Sequence, residues 1–104
     1  MHRPSKTMRA IAAGEGEGIP LSEREIDVVL AIMAGNTVVR DIAAAIGTTE
    51  TTVNNYLHYI YRKAGAVNMT AVVLMVAGIT PCGPALKAAQ GRWRRKHYQI
   101  DAAA

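Results

Sequence analysis

The chain has no Phe, one Trp and one Cys among its 104 residues, and these shortages exclude several classes of protein. With Cys82 alone, no intrachain disulfide can form, and a reducing cytoplasm is the natural compartment. One cysteine and three scattered histidines (His2, His58 and His97) lack any recognised zinc-ligand spacing, so neither a metal nor another cofactor is expected. Paired carboxylates, an activated nucleophile and a phosphate-cradling loop are all missing, which argues against an enzyme. Long apolar runs are scarce as well. The most apolar one, Met69 to Ile79, contains Thr70 and Gly78 and is too short to span a bilayer. Met1–Met8 is polar and basic, with no signal-peptide core behind it. A soluble protein with no membrane partner is expected.

Half of the residues are hydrophobic, mostly Ala, Val and Ile, which suits a core of closely packed short helices. A chain of this length amounts to one domain and leaves no room for a separate ligand or signalling domain. The net charge of +4 is unevenly spread. Residues 21–79 carry four basic side chains (Arg24, Arg40, Arg62 and Lys63) against five acidic ones, whereas residues 80–104 carry five basic and one acidic. A globular unit over 21–79 would therefore have to meet phosphate with only a few well-placed cations.

Three regions follow from the local pattern. Residues 1–20 read as a basic N-terminal arm and a Gly/Glu linker at Gly14–Gly18, with room for a short helix around Thr7–Ala13. Residues 21–79 read as four helices. Ser22 and Glu25 form a capping box for the first, about Glu23–Ala34, with Leu21 as staple and Gly35 or Asn36 as stop. Thr37 is expected to cap a second, Val38–Ile46, which Gly47 ends. Thr49 caps a third, Glu50–Ala64, ended by Gly65, and Asn68 or Thr70 opens a fourth that runs to about Ala77. Residues 80–104 read as a basic amphipathic tail, helical from Pro84.

The tight Gly47-Thr48 turn forces the second and third helices to cross steeply, as in a helix-turn-helix. With Val53, Leu57 and Ile60 facing in, Thr51, Asn55, His58 and Arg62 project outward at 100° per residue, with Asn54 and Tyr59 on the flanks. A merely solvated face usually carries Glu and Lys, which form helices better than Asn and Thr do. Asn can bond adenine N6 and N7 together, and Thr and His offer further contacts to base edges. Residues that simply follow a helix cap would look similar, so this face alone does not decide between structure and base reading.

Leu21-Ser22, Arg24-Glu25, Asp27-Val28-Val29, Gly35, Ile42-Ala43, Ile46, Thr49, Thr52-Val53, Leu57, Ile60, Lys63, Gly65 and Asn68, at this spacing, resemble the LuxR/FixJ-type (GerE-like) helix-turn-helix domain over about residues 21–75. The resemblance implies an all-α, four-helix DNA-binding domain whose third helix enters the major groove. By position it places Asn54, Asn55 and His58 among base-contacting side chains, beside the outward Thr51. It places Thr49, Thr52, Tyr56 and Lys63 near phosphates, with Arg62 a neighbouring candidate. Against the family pattern, the loop between Gly35 and Ile42 is one residue longer. Asn54 stands where Lys is usual, Tyr56 where His is usual and Met69 where Arg is usual. Fewer neutralised phosphates lower both affinity and its salt dependence.

The fourth helix is apolar on every face from Ala71 to Ala77, and a helix of that kind is normally covered on more than one side. The resemblance implies a homodimer through it, with Val72, Val73, Met75 and Val76 at the interface; the alternative cover is the chain's own tail. In the tail, Leu86, Ala89, Trp93 and Ile100 form one stripe. Arg92, Arg94, Arg95 and Lys96 lie elsewhere around it, as phosphate contacts, a partner patch or a solvated face. Two functions stand against each other. One is a small free-standing transcription regulator on double-stranded DNA. The other is a protein-binding module of the same fold, sigma-factor-like or phage-like, acting on RNA polymerase or another regulator.

Overall fold

The computed structural model describes residues 17–103, with side chains as far as Lys96. The expected helix around Thr7–Ala13 and the side chain of Ile100 lie outside the described residues. Within them the chain is all-α: α1 (Glu23–Met33), α2 (Val39–Ile46), α3 (Glu50–Ala64), α4 (Met69–Val76), a 3₁₀ turn (Pro84–Leu86) and α5 (Lys87–Ala103).

Local chemistry sets most of these boundaries. The Ser22 hydroxyl accepts from the Glu25 N–H at 3.2 Å, and the Glu25 carboxylate accepts from the Ser22 N–H at 2.7 Å. This reciprocal cap satisfies two of the free donors at the start of α1. Gly47 and Gly65 end α2 and α3 in the left-handed conformation, at φ of 72° and 67°. Only glycine adopts it without strain from a Cβ. Thr49 and Asn68 cap α3 and α4 by accepting from the N–H groups of Thr52 and Ala71.

The start of α2 differs from expectation. Its N-cap is Val38, extended and without a side-chain cap bond, and Thr37 lies outside the helix. The Val38 carbonyl accepts the first helical bonds, from the N–H groups of Asp41 and Ile42 at 2.9 and 3.0 Å, so the helix opens one residue after the threonine.

Helix α1 is the hub, packed on α2, α3, α4 and α5. Val28 and Val29 of α1, Ile42 of α2, Val53 and Ile60 of α3, Val72 and Val76 of α4 and Leu86 of the turn are fully buried together. Each such side chain contributes roughly 1.5–3 kcal/mol by leaving water. The tail belongs to this core. Ala85, Leu86 and Ala89 are buried in it, and Trp93 packs against it half-buried. The Gln90 amide donates to the carbonyls of Met75 and Val76 at 3.2 and 3.3 Å, closing the C-terminal end of α4. The helix continues through Gly91 despite the cost of glycine there, about 1 kcal/mol relative to Ala.

Candidate nucleic-acid interface

Three residues, Gly47 to Thr49, join α2 to α3, and two features hold the junction. The Thr49 hydroxyl caps α3 while donating to Thr52 Oγ1 at 2.9 Å. Arg24 reaches from α1 to donate to the carbonyl of Ile46 at 2.8 Å, and also bonds Asp27. A guanidinium suits the partly negative C-terminal end of a helix. Sequence periodicity missed this role of Arg24, because the 22-residue separation of donor and acceptor leaves no local trace.

The inward stripe of Val53, Leu57 and Ile60 fixes the rotation of α3. Thr51, Asn54, Asn55, His58 and Arg62 are consequently exposed, and Thr52, Tyr56 and Tyr59 are half-buried. Tyr56 packs partly on the core, and the His58 ring meets the edge of Tyr59 with centroids 5.4 Å apart. The side chains of Asn54 and Asn55 make no hydrogen bond within the described residues, so their amide donors and acceptors are unused there. The exposed part of α3 carries one carboxylate, Glu50, at its first turn, and ends on Arg62.

Lys63 departs from its expected place at a phosphate. Its side chain is only 7% exposed, and its ammonium lies 2.6 Å from Glu25 Oε1, itself in a side chain 5% exposed. The periodicity that turns Ile60 inward carries Lys63 in as well, and Glu25 compensates the charge while also capping α1. The cation serves the α1–α3 contact and presents nothing to a ligand.

The other candidate residues divide similarly. Val72 and Val76 are both 0% exposed within one chain, which makes them core residues and corrects their expected place at a protomer interface. Val73 and Met75 are half-buried against the core. In the tail, Arg92 donates to both Glu23 oxygens at 2.9 and 2.8 Å. Arg94, Arg95 and Lys96 are exposed and, among the described residues, bond no carboxylate. No three His, Cys, Asp or Glu side chains come together to hold a metal ion, and no helix is long and apolar enough to cross a membrane, again among the described residues.

A short helix, a glycine turn and a capped second helix define a helix-turn-helix unit. The profile of the bacterial regulatory proteins of the luxR family (GerE) matches residues 19–76, more than half of the chain. The protein belongs to that family, whose members are DNA-binding transcription regulators. Comparisons with curated proteins and with solved structures return no significant match.

Proposed function

We propose that the protein is a small transcription regulator that reads double-stranded DNA with α3 in the major groove, as a homodimer in the bacterial cytoplasm. The observation that carries this reading is the outer face of α3. Thr51, Asn54, Asn55 and His58 are exposed together, on a helix whose other side is locked into the core. Unbonded amides on a rigid helix lose little entropy on meeting base edges, and the Asn pair suits adenine. Thr49, Thr52, Tyr56 and Arg62 rim this face as phosphate contacts, and Arg94, Arg95 and Lys96 add charge from the tail. With Val72 and Val76 withdrawn into the core, a dimer through α4 falls to its outer residues, Val73 and Met75 among them.

One observation favours a second reading, a protein-binding module acting on RNA polymerase or another regulator. Within 21–79, Arg62 is the one cation without a carboxylate within 4.0 Å among the described residues. Selection of bound duplexes from a random pool separates the two. Recovery of one enriched motif is the outcome expected for α3 reading bases, and an unenriched pool would reject it.

A further inference from the structure

The two flanks of α5 meet different surroundings. On the α1 flank, Arg92 is bonded to Glu23, and Lys96 shares a depression with Asp27. On the opposite flank stand Lys87 and Arg94, seven residues and so two turns apart, about 10 Å along the axis. They border a shallow, open cleft of about 410 Å³ that the 78–82 segment and Gln90 also line. None of its lining residues is acidic. Neither cation has a hydrogen-bond or carboxylate partner among the described residues.

The two charges converge. Both act on the same half-buried thiol, Cys82, pulling its pKa down against the larger upward push of burial. The Arg94 guanidinium lies over Gly78, where a Cβ would come within 3.1 Å of Nη2. An alternative role, offsetting the partly negative end of α4, is already filled. Gln90 and the N–H groups of Ala77, Ile79 and Thr80 bond the last carbonyls of α4, and Arg94 bonds none of them. Its planar fork of donors is therefore open to the cleft, which Thr80 and Lys87 also line.

We infer that the cleft between the 78–82 segment and α5 is a binding site for a phosphate-type oxyanion, held by Lys87 and Arg94. Charge-assisted, forked contacts of this kind are how guanidinium groups recognise phosphate. The oxyanion has two possible sources, a free phosphate compound or the DNA backbone. Since α5 packs on α1 and α4 and not on the outer face of α3, the site shares Arg94 with the DNA-reading proposal but requires no contact between α3 and bases, and phosphate binding can be tested without DNA.

Inorganic phosphate, titrated into the full-length protein at constant ionic strength against chloride, tests the site by nuclear magnetic resonance. Saturable shifts of the Gly78, Thr80 and Cys82 amides and of the Arg94 Nε–H are expected. They should weaken about tenfold or more in a Lys87→Gln/Arg94→Gln variant and persist in Arg40→Gln, a control at an exposed arginine of α2. The source follows from duplex binding. If the double variant flattens the slope of log affinity against log salt, by about 0.9 per lost contact, the backbone supplies the phosphate. If it leaves the slope unchanged, a free phosphate compound does. Shifts that do not saturate, that chloride reproduces, or that survive in the double variant would overturn the inference.

Discussion

The helix-turn-helix unit and the tail helix treat their positive charge in opposite ways. Of the four basic residues in 21–79, three sit beside carboxylates: Arg24 by Asp27, Arg40 by Asp41 and Lys63 by Glu25. Of the five in the tail, only Arg92 does among the described residues, through Glu23. Two of the unit's cations, Lys63 and Arg24, tie its helices together, whereas those of the tail mostly face water. The formal charge of a segment is thus a poor guide to its attraction for phosphate. What matters is how many of its cations remain available after packing.

Removing the best-buried cation pair should have the largest effect on this contrast. Glu25→Ala leaves Lys63 charged and buried without a partner and also removes half of the α1 cap. A loss of about 3–5 kcal/mol is expected, measured by chemical denaturation. A loss below about 1 kcal/mol would show that the pair is not the buried contact described.

The apolar side of the tail comes next. Leu86→Ala empties a fully buried site and should cost about 2–5 kcal/mol, read as a lowered thermal midpoint of the whole domain. If α5 were a separate appendage, the midpoint would not move.

Smaller in energy, and confined to binding, are changes on the outer face of α3. Asn55→Ala and His58→Ala should each remove about 1–3 kcal/mol of discrimination between duplexes with the fold unchanged. Equal relative affinities across a duplex panel, before and after substitution, would remove both residues from base reading.

The smallest effect belongs to Arg92→Ala. Its pair with Glu23 lies at the surface, with Glu23 three-quarters exposed, so at most about 1 kcal/mol is expected, diminishing with added salt. A loss of several kcal/mol would place Arg92 with Lys63 as a structural cation and narrow the difference between the two regions.

Where neighbours in the chain decide the outcome the sequence was mostly sufficient, the exception being Thr37, which does not cap α2. The Ser22–Glu25 box, the Thr49 cap and the left-handed stops at Gly47 and Gly65 stand where composition puts them, because each is made within one helical turn. The outward rotation of Thr51, Asn55 and His58 followed from the 3.6-residue period once Val53, Leu57 and Ile60 were turned inward. Contacts between distant segments were beyond such reasoning. Lys63 lies near the inward side of α3, and whether it snorkels to solvent or finds a buried partner depends on Glu25, 38 residues away. The all-apolar α4 required cover, and its composition was equally consistent with a second protomer or the tail; α5 packs on it and Gln90 bonds its last carbonyls, so part of that cover comes from within the same chain. Arg92 and Arg94 differ by two residues and hence by about 200° around α5. One therefore meets Glu23 and the other an acid-free cleft. Local periodicity sets the angle between two such side chains, but only the packing of the helix determines what each of them faces.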